Sequence, residues 1–158
     1  MRTGVFVGSF DPFTVGHHSV VRRAMPLFDR IVIGVGVNAG KACIHTAAER
    51  VAAIRELYSG YVPGDGRLCR IEVKQYDGLT ADFARGEGAE YIIKGVRSVC
   101  DFEYERAQAD VNRSLSGVET LLLFAEPQYA SVCSSVVREL MRLGADVSRL
   151  VAVTYKDK

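Results

Sequence analysis

The stretch VGSFDPFTVGHHSV, residues 7–20, carries the chain from an apolar run into its first segment of helical period. Between the two lie Gly8, Ser9, Asp11-Pro12, Thr14 and Gly16, followed by His17 and His18. Asp11-Pro12 makes a stiff turn, and Gly16 lets the backbone come close to a ligand. A helix that starts here aims its unpaired N–H groups back at the end of the strand, a natural seat for an anion. His17 falls in the first helical turn beside the positive end of the dipole, where an imidazole can donate to a phosphate oxygen. His18 lies about 100° further around the helix and cannot share that task, so it reads as surface or packing. Without the Gly, Ser and Asp-Pro before it, His17 would read as a capping or satisfied core histidine.

Outward from this stretch, TGVFVG, DRIVIGVGV, RIEVKQY, AEYIIKGV and ETLLLFAE are nearly continuous apolar runs, the mark of strands covered on both faces. HHSVVRRAM, TAAERVAAIRELYSG, TADFARGEG, CDFEYERAQADVNRSLSG and SSVVRELMRLG follow them in turn with helical period. The alternation predicts an α/β, doubly wound, five-stranded parallel sheet with right-handed crossovers. Thr46 and Glu49 spell a capping box, while Gly60, Gly86, Gly117 and Gly144 mark helix ends. Pro26 should end or kink the first helix near Met25.

Composition narrows the function. A chain of 158 residues, 48% hydrophobic and 25% charged, is expected to form a single domain over residues 1–158. A net charge of +1 gives no reason to expect nucleic acid or an anionic membrane as a partner, and the balance suits a small-molecule protein. Cys43, Cys69, Cys100 and Cys133 form no C-x-x-C and no metal-ligand spacing, so they read as buried or idle thiols in a reducing cytoplasm. No segment approaches the about 20 apolar residues of a membrane span, and the N-terminal run is too short for a signal peptide.

In a parallel sheet of this kind ligands bind beyond the carboxyl ends of the strands, near the point where strand order reverses. Residues 9–17, 38–45, 76–80, 95–97 and 126–135 follow the five strands. That topology gathers Ser9, His17, Lys41, Lys94, Arg97, Ser134 and Ser135, donors and cations suited to phosphate, around one crevice. GVGVNAGK, residues 34–41, comes close to the G-x-x-x-x-G-K of a P-loop, but five residues rather than four separate Gly34 from Gly40, Ala42 stands where Ser or Thr is needed, and two of its glycines lie inside the predicted second strand. It is read as a decoy.

GSFDPFTVGH resembles the G-x-F-D-P-x-T-x-G-H motif of the bacterial phosphopantetheine adenylyltransferase family, within the nucleotidyltransferase superfamily marked by H/T-x-G-H. Three further segments are similar in order: Lys41 before TAAER, IIKGVRSVCDFEYE, and YASVCSSVVREL. Ser9 stands where Thr is usual, Lys94 where Arg is usual and Cys133 where Ser is common, and the tail VSRLVAVTYKDK is short and atypical. Ser9 keeps the hydroxyl, whereas Lys94 keeps the charge but not the bidentate fork.

The resemblance implies a Rossmann-like nucleotidyltransferase fold and adenylyl transfer from ATP to 4′-phosphopantetheine, giving dephospho-coenzyme A and pyrophosphate in coenzyme A biosynthesis. It further implies Mg2+ held mainly by the phosphates rather than by protein side chains, a cytoplasmic location and a homohexamer. His17 and Lys41 would stabilise the α-phosphate in the transition state. Ser9, Phe10, His17, Gly95, Val96, Arg97 and Glu105 would line the nucleotide, with Arg97 and the Ser134 and Ser135 N–H groups on its β- and γ-phosphates. Tyr129, Ala130, Ser131, Val132, Cys133, Ser134 and Ser135 would continue that pocket. Ser9, Lys41, Thr80 and Lys94 would face the acceptor. Phe102 and Tyr104 read as packing or subunit contacts. Two alternatives stay open: a related transferase with another acceptor such as nicotinate mononucleotide, and a protein that binds ATP without transferring it.

Overall fold

Strand β1 (Thr3–Gly8) turns Val5 and Val7 to one face of the sheet and Phe6 to the other, the two-residue alternation of an extended chain. The computed structural model describes residues 1–37, 42–61 and 68–155. In β2 (Arg30–Gly36) the same alternation sends Ile31, Ile33 and Val35 to the Phe6 face and Val32 to the other, all fully buried. Each such side chain contributes about 1.5–3 kcal/mol on leaving water. β2 pairs with β1 from Thr3↔Arg30 to Gly8↔Val35 and with β3 (Arg70–Tyr76) from Arg30↔Arg70 to Gly36↔Tyr76. On the other side of β1 lie β4 (Tyr91–Val96) and then β5 (Glu119–Phe124). All pairings are parallel, in the order β3-β2-β1-β4-β5.

Helices α1 (Val15–Ala24) and α2 (Ala47–Tyr58) cover the Phe6 face through Val20, Val21, Ala24, Val51 and Ile54. Helix α3 (Thr80–Gly86) supplies Ala84 to the opposite face and packs beside α4 (Val99–Ser116). Helix α5 (Ser134–Arg142) buries Val137. The chain steps outward from β1 to β2 to β3, then returns past β1 to lay down β4 and β5. The order therefore reverses between β1 and β4, and the crevice that binds ligands in such sheets opens there.

Two glycines inside strands are explained by close packing. A Cβ on Gly34 would sit 2.6 Å from the Phe83 ring, and one on Gly95 2.8 Å from Val20 Cγ2. Gly34 and Gly36 belong to β2, as expected of a decoy rather than a P-loop, while Gly40 and Lys41 lie outside the described residues.

The capping box of Thr46 and Glu49 is present, and α1 stops at Ala24, followed by one 3-10 turn, Met25–Leu27, that contains Pro26. Two boundaries differ from expectation. α1 begins two residues before His17, because Thr14 supplies an N-cap. Gly86 is the last residue of α3 rather than its stop; Gly88, at φ 63°, makes the left-handed turn that lets the chain enter β4. Among the described residues no helix is long and apolar enough to cross a membrane.

Candidate active site

The carboxyl ends of β1 and β4, the first turn of α1, the face of α4 that carries Glu105 and the start of α5 enclose one cleft. His17 stands at its floor as the third residue of α1. The Thr14 N–H donates to His17 Nδ1 at 3.0 Å, and the His17 N–H donates back to Thr14 Oγ1 at 3.3 Å, a capping box with imidazole in place of carboxylate. The rings of Phe6, Phe10 and Phe13 surround the imidazole, with centroids 5.1–6.2 Å away. Burial, reinforced by the Arg97 charge, lowers the His17 pKa to about 4. The ring is therefore neutral at physiological pH. With Nδ1 accepting from Thr14, its single proton resides on Nε2, a donor for the cleft.

The segment that carries His17 is held from several directions. Phe10 sits at φ 51°, a left-handed conformation that costs an aromatic residue about 1–3 kcal/mol and persists only where the surroundings impose it. Here they do. Arg50, 3% exposed, donates to the Ser9 carbonyl as well as to His45 O and Thr46 O. Arg138 Nη1 donates to Asp11 O at 2.8 Å, and Ser134 Oγ to Pro12 O at 3.0 Å. The tail completes the set, with Ala152 N–H donating to Phe13 O and Val151 bridging Thr14. The Asp11 carboxylate, 1% exposed, accepts from Ile44 N–H at 2.6 Å, His45 N–H at 3.1 Å and His45 Nδ1–H at 2.9 Å. Tyr155 stacks on His45 at 3.5 Å with 7° between the rings.

The facing walls carry the charge. Arg97 is clasped by Asp101, and Lys94 Nζ lies 3.2 Å from Glu105 Oε2, both side chains of the second pair being mostly buried. At the start of α5, Cys133 Sγ and Ser135 Oγ are 3.2 Å apart. Burial pushes the Cys133 thiol up, but Ser135, the Val136 N–H and the Arg97 guanidinium outweigh it and bring the pKa below its ordinary value. Neutral imidazole, guanidinium, ammonium and a helix N-terminus thus converge on one cavity, a set that recognises phosphate groups.

A cytidylyltransferase-like family model matches residues 5–140. The chain is 47% identical over 148 residues to the phosphopantetheine adenylyltransferase of Phocaeicola vulgatus, covering 94% of this chain and 93% of that one. It is 46% identical over 151 residues to that of Bacteroides fragilis, covering 96% of each. The chain belongs to the phosphopantetheine adenylyltransferase family. Among solved structures, a bifunctional NMN adenylyltransferase/ADP ribose pyrophosphatase from Francisella tularensis superposes with a TM-score of 0.72 at 12% identity, over 96% of this chain and 45% of that longer one, and so shares its fold.

Of the residues that likeness to this family singles out, Ser9, Phe10, His17, Lys94, Gly95, Arg97, Glu105, Tyr129, Val132, Cys133, Ser134 and Ser135 line the cleft together. Others do not. The Val96 side chain is buried in the sheet, and Ala130 and Ser131 lie beside the lining residues without joining them. Thr80 opens α3 at the end of β3, its hydroxyl 3.1 Å from that of Tyr76 and away from the cleft. Lys41 lies outside the described residues. His18 packs against Tyr58 and Tyr61, its Nδ1 3.0 Å from the Tyr58 hydroxyl, in the packing role expected of it. Asp11 and the tail carry no site role in the sequence reading, and Arg50, Asp101 and Arg138 are not named there. All four residues do lie in segments that carry the family likeness, Asp11 in GSFDPFTVGH, Arg50 in TAAER, Asp101 in IIKGVRSVCDFEYE and Arg138 in SSVVREL, the one signal pointing to them.

Proposed function

We propose that this chain transfers the adenylyl group of ATP to the phosphate of 4′-phosphopantetheine, releasing pyrophosphate and dephospho-coenzyme A. The observation that carries this reading is the neutral His17, with Nε2 as its donor, at the floor of a cleft walled by cations. An oxygen of the acceptor phosphate, already anionic at neutral pH, attacks the α-phosphorus. As that P–O bond forms, the bond to the β-phosphate oxygen breaks, and no proton needs to be removed. The site's work is therefore to align two anions and stabilise charge on the α-phosphate. His17 Nε2–H and Lys41 serve the α-phosphate, and Arg97 with the first N–H groups of α5 holds the β- and γ-phosphates. Ser9, Lys41, Thr80 and Lys94 serve the acceptor.

Mg2+ fits this scheme as a companion of the nucleotide. Among the described residues no three His, Cys, Asp or Glu side chains gather to hold an ion, and Asp101 and Glu105 are engaged by Arg97 and Lys94. The phosphates would hold it, and when bound it screens their charge.

The test is Mg2+-dependent pyrophosphate release from ATP with 4′-phosphopantetheine, beside nicotinate mononucleotide and no-acceptor controls. Release with phosphopantetheine alone is expected. Release only with the other acceptor would keep the chemistry and move the substrate, whereas ATP binding without release under any condition would overturn the transferase reading.

The proposed assembly is a homohexamer in the cytoplasm. Supporting association, α4 buries none of its residues and exposes Val99, Phe102, Tyr104, Val111 and Leu115 by 38–75%, while Phe124 at the end of edge strand β5 is 69% exposed. Apolar residues left so uncovered on one helix and the neighbouring edge strand call for a partner. Light scattering should return about six times the 17.3 kDa chain mass; a monomer would remove this part of the proposal.

A further inference from the structure

We propose that Asp101 is a positioning residue that presents Arg97 to the nucleotide phosphates; the inference rests on the phosphate role of Arg97 proposed above. Arg97 lies in the short turn between β4 and α4, and its side chain is 37% exposed. An arginine in that setting is free to swing through many rotamers, and a ligand that captured it would have to offset that lost freedom.

Asp101, in the first turn of α4, removes the freedom beforehand. Its Oδ2 accepts from Arg97 Nε at 2.9 Å and from the Arg97 backbone N–H at 3.2 Å, and its Oδ1 accepts from Nη2 at 3.3 Å. Backbone and side chain of Arg97 are thus tied to one carboxylate. That carboxylate is itself fixed: the Asp101 N–H donates to Ser98 Oγ at 3.2 Å, and a negative charge in the first turn is favoured by the helix dipole.

The contact also selects which edge of the guanidinium a ligand meets. A guanidinium offers two edges for bidentate binding, Nε with Nη2 and Nη1 with Nη2. Asp101 takes the first, so the Nη1/Nη2 edge is the one it leaves toward the cleft that Arg97 lines; the guanidinium also meets the Cys133 thiol there, a weak partner that a phosphate can displace. The contrast with Lys94 is informative. Glu105 approaches Lys94 at 3.2 Å without hydrogen-bond alignment at its buried Oε2, a single contact to a group with no planar edges to orient.

A carboxylate in the first turn could instead serve only to start the helix, and steady-state kinetics separate the two roles. Asp101→Asn keeps an oxygen for the Arg97 N–H but loses the charge and the two-point grip. Immobilising one long side chain costs about 0.5–1.5 kcal/mol, so KM for ATP should rise about two- to twelvefold. KM for 4′-phosphopantetheine should stay within twofold and kcat should fall less than KM rises. Asp101→Glu, which retains a carboxylate, should recover part of the loss and guards against a folding artefact in the Asn variant. In an Arg97→Ala background, Asp101→Asn should add nothing further. An unchanged or lowered KM for ATP in Asp101→Asn, or full additivity with Arg97→Ala, would overturn the proposal. If Arg97→Ala alone leaves KM for ATP unchanged, the phosphate role of Arg97 falls first and takes Asp101 with it, an outcome distinct from failure of Asp101 alone.

Discussion

His17→Ala should lower kcat by about 10²–10³-fold while leaving ATP affinity within a few-fold of the wild type. The reason is where the proton sits. Thr14 N–H occupies Nδ1, so the Nε2–H donor is set before any ligand arrives, and it meets charge that grows on the α-phosphate only as bonds change. An interaction that strengthens in the transition state appears in kcat rather than in binding. The lowered pKa adds a second readout. His17 protonates near pH 4 in the folded protein but near 6.5 when unfolded, so between those values the unfolded state binds more protons. Stability from this group is complete above pH 6.5 and is lost as pH falls toward 4. Between pH 7 and 5 the wild type should lose about 2 kcal/mol of unfolding free energy that His17→Ala does not lose. Denaturant titrations at the two pH values measure this, and an unchanged kcat in the variant would sink the catalytic assignment.

What the sequence disclosed and what it withheld divide along physical lines. The five strands were legible because burial on both faces forces near-continuous apolar runs, and the crevice followed from the strand-to-helix alternation. The sequence pattern also led to His17, since the residues before it mark a loop built for close backbone approach. Its tautomer was not legible: T-x-x-H is not the usual spelling of a capping box, and only the 3.0 Å contact to Nδ1 assigns the proton. Nor were the groups that hold the loop. Arg50 meets Ser9 across 41 residues and Arg138 meets Asp11 across 127, and no local periodicity records such pairings. Asp11 was legible as half of a turn, while its carboxylate proves to be a buried acceptor for residues 44 and 45. The tail carries no period because its work is done by single contacts, one bridge at Val151 and one stacked ring at Tyr155.

Asp11→Ala should cost about 3–5 kcal/mol of stability at neutral pH, the scale of removing one side of a buried polar pair. The carboxylate is 1% exposed and accepts three hydrogen bonds, so its removal strands the Ile44 N–H, the His45 N–H and the His45 Nδ1–H, each costing about 1–3 kcal/mol if left dry. The pH dependence runs opposite to that of His17. Burial pushes the Asp11 pKa up, but the His45 side chain and the two backbone N–H groups outweigh it, so the folded value lies below 3.8. Its contribution is therefore complete above pH 3.8 and lost as pH falls through the lower folded value. Urea denaturation should show the gap between wild type and variant narrowing at strongly acid pH. Activity should fall as well, because Asp11 joins two loops. Its backbone lies in the strained turn before His17, and its carboxylate fixes the chain three residues after Lys41. Loosening that joint should lower kcat even at temperatures where the variant remains folded. A variant with wild-type stability and wild-type kcat would mean that each loop holds its own geometry and that the joint between them is dispensable.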